Sequence, residues 1–295
     1  MGLARKLEGL LKLGRIEHSI MLDIAVLAAI LISDRGALPG NAFTLLMGFV
    51  SPFFISYSAF AINDYFDIKV DKINKKSDRP LVNGTLRPAT ALYATALGFA
   101  IGIISSYFIN PYCFAIAAVF AALAFIYSYR LKEIFLLGNI YIALTMVIPF
   151  VFGGYIVDYY LPESILLVSI MIFFSGLARE IHGTIRDMYG DMKARKAATL
   201  PTKIGWKNAS LVALLMYMIS ILASAYLFLY VAPFRGNPAY AFPIFISDII
   251  FLYVSAGYLG KSAKFYGLAR NLSLMAMLIA IVGILIAPLY SGILF

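Results

Sequence analysis

Nine apolar runs, each long enough or nearly long enough to cross a bilayer, recur from one end of this chain to the other. They lie near 19–33, 44–62, 90–109, 112–129, 134–157, 164–178, 209–232, 239–259 and 271–294. The first and sixth are short and need length from an adjoining amphipathic stretch. In lipid, a backbone must satisfy its own polar groups, which leaves helices as the way to cross with runs of this length. Only 13% of the residues are charged and the mean hydropathy is +0.88, where a soluble domain carries about 25% charged residues. The expected fold is all-α: an integral membrane protein with nine transmembrane helices in one bundle around a central cavity, one domain over 1–295.

Charge tests that count. With the N-terminus and every second loop taken as one side, 22 of the 24 Lys and Arg residues fall there, and only Arg35 and Arg235 fall on the other. A wrong count would scramble this segregation. The positive-inside rule then puts the N-terminus in the cytoplasm and the C-terminus outside. The net charge of +9 reflects topology, and no basic, aromatic surface outside the membrane points to nucleic acid. Residues 1–19 read as a basic amphipathic helix on the membrane surface, without a small-residue cleavage pattern after the first apolar run. The single cysteine, Cys113, sits in an apolar run and excludes an internal disulfide or a cysteine metal site.

The stretch NDYFDIKVDKINKKSDRP, 63–80, breaks the apolar pattern with four aspartates and five cations. On a helix continuing from the second span, Asn63, Asp64, Asp67 and Asp71 fall at roughly 0°, 100°, 40° and 80°, one face. Carboxylates so close repel each other unless a cation sits among them. Oxygen donors without His or Cys suit a hard cation, magnesium before calcium. The segment GLAREIHGTIRDMYGDMKARKAATLPTKIG, 176–205, repeats the idea: Glu180, Thr184, Asp187 and Asp191 share an arc of roughly 60°. Asp64 and Asp187 are 123 residues apart, each at the end of an even-numbered span on the same side, which hints at an internal repeat. A single mixed-charge helix end is ordinarily a solvated one. Two oxygen-only motifs on one side, rimmed by Arg and Lys, match a magnesium-bridged diphosphate. The acidic segments are 63–88 and 179–207, both cytoplasmic.

NDYFDIKVD resembles the NDxxDxxxD motif of the UbiA-type membrane prenyltransferase superfamily, and DMYGD resembles its second motif, DxxxD. INKKSDRP, the later TLP and the nine helices resemble the family too, over nearly the whole chain. The resemblance implies transfer of an isoprenyl group from a polyprenyl diphosphate (geranyl, farnesyl or geranylgeranyl) to an acceptor, with two magnesium ions. Asn63, Asp64, Asp67 and Asp71 would serve one ion, Asp187 and Asp191 the other. These five aspartates are the catalytic candidates. Many family members carry Tyr-xxx-Lys after the fourth helix. Here Tyr127 has Leu131 at the lysine position, which passes the role to Arg130 or Lys132.

The expected chemistry is ionisation of the allylic C–O bond. Positive charge stabilises the leaving diphosphate, and aromatic faces stabilise the carbocation. The candidate diphosphate-binding cations are Arg15, Lys75, Arg79, Arg130, Lys132 and Lys193. The candidate cavity residues are His18, Tyr65, Tyr127, Tyr129, Glu180 and Asp248. Packing is the ordinary role for most of these, snorkelling for Arg15, and a bond to a neighbouring helix for Asp23 and Asp248. His182 falls opposite the Glu180–Asp187 face and is not expected to bind metal. Trp206 reads as an interfacial anchor, and Pro149 with Gly153 and Gly154 as a kink in the fifth span. The motifs lean towards an aromatic quinone precursor as acceptor, with geranylgeranylglyceryl phosphate close behind. No obligate protein partner is evident, and the expected place is the cell membrane with the active site facing the cytoplasm. An ion-coupled transporter is the rival reading. It has intramembrane acids in its favour, and against it the crowding of acids at one membrane face. A phospholipid-head-group transferase would show one continuous acidic motif with Asp-Gly and Ala-Arg, which is not found here.

Overall fold

Among the described residues there are eleven α-helices: α1 (Leu3–Leu13), α2 (Ile16–Ser33), α3 (Ala42–Ile73), α4 (Pro88–Tyr107), α5 (Pro111–Tyr129), α6 (Leu137–Val157), α7 (Glu163–Arg195), α8 (Leu200–Ile204), α9 (Trp206–Tyr230), α10 (Pro238–Leu259) and α11 (Ala263–Leu294). The computed structural model describes residues 3–73, 75–134, 136–195, 199–260 and 263–294, with side chains except at 3, 133, 189–195, 263–264 and 291–294. Among the described residues there is no strand, and nine helices, α2 to α7 and α9 to α11, are long and apolar enough to span a membrane. The all-helical, nine-span expectation holds. The short first run gains its missing turn from Ile16, and the short sixth run continues through its charged stretch as the 33-residue α7.

The residues gather into two compact units: Met1–Val26 with Pro39–Lys132, and Leu27–Leu38 with Glu133–Phe295. Each unit contains one acidic motif on its longest helix, α3 in the first and α7 in the second. In the first unit α3 packs on α4, α5 and α1; in the second α7 packs on α6, α8, α9 and α11.

Small residues set how closely the helices approach, as expected where lipid gives no hydrophobic drive between them. Gly98 and Gly102 on α4 lie against α3. A Cβ at Gly102 would come within 2.9 Å of the Ser51 carbonyl oxygen. Caps close the helix starts. Asn110 accepts from Cys113 N at 2.9 Å and Asn237 from Ala239 N at 2.9 Å, each ahead of a proline that lacks the N–H a first turn leaves unused. Cys113 is buried, Trp206 opens α9, and Pro149 sits inside an unbroken α6.

The end of α3 matters most for the site. The Lys75 N–H returns to the Lys72 carbonyl at 3.2 Å and the Lys76 N–H to the Asp71 carbonyl at 3.0 Å. Lys75 is left-handed, φ 54°. This is the hydrogen-bond pattern of a Schellman stop, with lysine where glycine is usual. It turns the chain back over the last turn of α3.

Candidate active site

The first motif lies on the last three turns of α3, and the face predicted by its spacing is the one that is buried. Asp64 and Asp71 are each 3% exposed and Asp67 is also buried. A buried carboxylate is costly unless paired, and every one of them is. Arg79 Nη1 donates to both oxygens of Asp64, at 2.7 and 2.9 Å. Arg15 Nη2 donates to the same Oδ1 at 3.1 Å. Lys132 Nζ lies 2.6 Å from Asp67 Oδ1, and Asn63 Nδ2 donates to Asp67 Oδ2 at 3.2 Å. Lys76 Nζ stands 2.9 Å from Asp71 Oδ1.

The four cations arrive from three pieces of chain, Lys76 and Arg79 sharing the segment after α3. Arg15 is the joint between α1 and α2, left-handed at φ 44°, with its guanidinium carbon 4.6 Å from the centroid of the Phe60 ring. Arg79 comes from the loop after α3. Lys132 comes from the 3₁₀ turn Leu131–Glu133 that follows α5. Sequence reasoning left the choice between Arg130 and Lys132 open; Arg130 is exposed at the end of α5, and Lys132 reaches the motif. Lys76 was not among the candidates. Its neighbour Lys75 is among them, and both lysines are exposed. The signal that would have distinguished them is the helix stop. The 6→1 bond of Lys76 back to Asp71 brings the backbone of that residue, and with it the side chain, over the carboxylate.

The second motif lies on α7. Arg186 Nε and Nη2 donate to Asp187 Oδ1 and Oδ2 at 2.7 and 2.6 Å, a two-point clamp. Arg179 Nη1 donates to Glu180 Oε1 at 3.1 Å, and the Thr184 hydroxyl donates to the Ile181 carbonyl at 2.8 Å. Asp187 is 51% exposed on its side chain, so it is far less withdrawn than the aspartates of α3. The side chains of Asp191 and Lys193 lie outside the described residues. His182, also on α7, packs among aromatic rings. It is 3% exposed, its ring stacks on Tyr258 at 3.9 Å and 2°, and neither ring nitrogen has a hydrogen-bond partner.

The remaining candidates are distributed along the two units. Tyr65 packs against the cluster of Leu13, Ala61, Leu81 and Leu86. Tyr129 is exposed and meets Phe66 edge-on at 5.7 Å; Tyr127 is partly buried. His18 meets Phe60 edge-on at 5.4 Å. Asp248 accepts from the Ser224 hydroxyl at 3.0 Å, the helix-to-helix bond expected of an intramembrane acid.

Among the described residues, no three His, Cys, Asp or Glu side chains stand close enough together to hold a metal ion. The donor chemistry of α3 nonetheless fits a hard divalent cation: three buried carboxylates and an amide on one face, with no nitrogen or sulfur ligand. What closes the site is the set of four cations, and these are groups a diphosphate attracts.

The UbiA prenyltransferase family matches residues 22–274. Digeranylgeranylglyceryl phosphate synthase of Archaeoglobus fulgidus is 34% identical over 95% of each chain. A solved structure of digeranylgeranylglyceryl phosphate synthase in membranes superimposes with a TM-score of 0.78 at 27% identity, over 96% of this chain and 98% of that one. A UbiA homologue from Archaeoglobus fulgidus bound to GPP and Mg2+ has the same fold, with a TM-score of 0.66 at 20% identity over 93% and 98% of the two chains. This chain belongs to the UbiA prenyltransferase family, and it is a membrane enzyme that transfers prenyl groups.

Proposed function

We propose that this enzyme adds a geranylgeranyl group from geranylgeranyl diphosphate to the free hydroxyl of geranylgeranylglyceryl phosphate. The observation that carries the acceptor is the 34% identity over 95% of both chains to a digeranylgeranylglyceryl phosphate synthase. A product with two geranylgeranyl groups on one glyceryl phosphate needs a lipid acceptor that already holds the first. This reading is preferred to the aromatic acceptor towards which the motifs alone lean.

The reaction breaks the bond between C1 of the prenyl group and the diphosphate oxygen, and the electron pair leaves with the diphosphate. The glyceryl oxygen then bonds to C1 and gives up its proton. Asn63, Asp64, Asp67 and Asp71 would hold one magnesium ion, and Asp187 and Asp191 a second. Bound magnesium supplies positive charge to the leaving diphosphate; the neighbour of known structure was solved with GPP and Mg2+. Arg79 and Lys132 have a second part. Each neutralises a buried carboxylate of the motif, and with a diphosphate bound at that face each would add its charge to the stabilisation of the leaving group. We infer that the enzyme lies in the cell membrane with both motifs towards the cytoplasm, since 22 of 24 Lys and Arg residues share their side.

The test is pyrophosphate release from geranylgeranyl diphosphate by purified protein, with and without magnesium. The acceptors are geranylgeranylglyceryl phosphate, dihydroxynaphthoate and hydroxybenzoate. Magnesium-dependent release with the glyceryl phosphate alone supports the proposal. Turnover with an aromatic acceptor instead moves the enzyme to the quinone branch.

A further inference from the structure

The helix α1 is joined to the first acidic motif, yet the transfer chemistry makes no use of most of it. One side of α1 is fully engaged. Leu13 is buried with Ala61, Leu81 and Leu86, and Leu10 packs against them. The Tyr57 hydroxyl donates to the Leu10 carbonyl at 3.0 Å. A Cβ on Gly14 would run into the Tyr57 ring. The other side carries Leu7 and Leu11, 57% and 46% exposed, one helical turn apart. Arg5, Lys6 and Lys12 are exposed on the same helix. Against them stands one acid, Glu8, which pairs with Lys12 at 2.7 Å.

Two exposed leucines on a helix that also carries three exposed cations have no role in the packing of α1 on α3. Together they give the profile of a helix lying in a membrane interface, where burial of leucines and attraction to anionic lipids add together. Its place in the chain agrees, since α1 ends at Leu13 and the first span begins at Ile16. Between them is Arg15, whose left-handed backbone holds its guanidinium on Asp64 Oδ1 at 3.1 Å and over Phe60. The residue that joins α1 to α2 is thus a member of the site.

We propose that α1 is a binding surface for anionic lipid headgroups, and that Arg15 ties occupation of that surface to the first acidic motif. The first half rests only on α1. The second rests on the proposed diphosphate site. When α1 is seated on an anionic surface, Arg15 is held at Asp64 and adds its charge to those that meet the diphosphate. When α1 is loose, that charge is not reliably in place.

The experiment uses the full chain in vesicles of phosphatidylcholine alone or mixed with phosphatidylglycerol. Leu7→Cys, in a Cys113→Ala background, carries an environment-sensitive fluorophore. Emission should shift to the blue in the anionic vesicles, and R5Q/K6Q should remove the shift. Each cation near an anionic surface is worth a several-fold change in affinity, so the pair should move the lipid titration by on the order of tenfold. Equal emission in both vesicles, or a shift indifferent to R5Q/K6Q, overturns the lipid surface. The unlabelled enzyme should show a KM for geranylgeranyl diphosphate several-fold lower in anionic vesicles, and R5Q/K6Q should lose that dependence while matching the parent in phosphatidylcholine. A blue shift with an unchanged KM overturns the link through Arg15. Absence of turnover in every lipid counts against the proposed function and leaves the emission result standing, because emission does not depend on turnover.

Discussion

Lys132 Nζ and Asp67 Oδ1 stand 2.6 Å apart with side chains 9% and 12% exposed, joining the turn after α5 to the acidic face of α3. A pair this withdrawn from water is held together by mutual need. Removing one partner strands the other, at a cost of about 3–5 kcal/mol. Lys132→Met should therefore lower the melting temperature well below the parent. Asp67→Asn combined with Lys132→Met should recover most of the loss. Differential scanning fluorimetry on the two singles and the double would show it; additive losses would mean that the pair is not coupled.

Arg79 and Lys132 differ in what they offer. Arg79 makes two hydrogen bonds to Asp64, and a lysine cannot reproduce that fork. Arg79→Lys should leave the fold intact and raise KM for the prenyl diphosphate, by roughly tenfold if one charge-assisted bond is lost. Initial rates against diphosphate concentration would decide. A change in kcat alone would place Arg79 in the transition state only.

Both acidic motifs should reveal themselves through the dependence on magnesium. Asp67→Asn and Asp187→Asn should each reduce kcat/KM by about 10²–10³, the usual effect of removing one electrostatic stabiliser. Both should need more magnesium for half-maximal rate. A variant with an unchanged magnesium requirement would remove that aspartate from the metal sites.

His182 has two buried nitrogens without hydrogen-bond partners and a ring stacked on Tyr258. His182→Phe keeps an aromatic ring for the stack and removes both nitrogens. An unsatisfied buried polar group costs about 1–3 kcal/mol, so this variant should melt at a higher temperature than the parent with prenyl transfer retained. Loss of activity without loss of stability would give His182 a chemical role that its position on α7 does not explain.

Gly102 on α4 faces the Ser51 carbonyl of α3. Gly102→Val should force the two helices apart and destabilise the protein by about 1–3 kcal/mol, as overpacking does. The acidic motif is on the same α3, so diphosphate affinity should fall with stability. Preserved affinity would mean that the end of α3 is positioned by its cations alone.

Periodicity and charge were enough to read the spans and the buried face of α3. Apolar length is what the bilayer demands, and Asn63, Asp64, Asp67 and Asp71 can share a face only if the helix runs on. The position of Lys76 over Asp71 was not legible, because it depends on a hydrogen-bonded helix stop at Lys75, a residue type that rarely adopts φ 54°. The choice of Lys132 over Arg130 was hidden for a related reason. It turns on how the chain leaves α5, where Arg130 takes the capping position and a 3₁₀ turn follows. The apolar run of the sixth span ends at 178, yet the arc shared by Glu180, Thr184, Asp187 and Asp191 already asks for a helix beyond it, and α7 continues to Arg195. The acceptor is the least legible part. The acidic motifs address metal and diphosphate, which both acceptor branches share.

The segment between α3 and α4 is tied to itself at nearly every step. Arg79 N bonds to the Lys76 carbonyl at 3.2 Å, Val82 N and Asn83 N to the Arg79 carbonyl at 3.0 Å, and Leu86 N to the Pro80 carbonyl at 3.0 Å. Asn83 Nδ2 donates to the Ser77 carbonyl at 3.1 Å, and Asn83 Oδ1 accepts from Thr85 N at 2.9 Å. Surface loops ordinarily absorb insertions at little cost. Here the loop is a ruler: its length in residues is what sets Arg79 opposite Asp64. One residue added between Ser77 and Arg79 would carry the guanidinium out of register while leaving every membrane span untouched. Such an enzyme would insert and fold, and still misread its substrate.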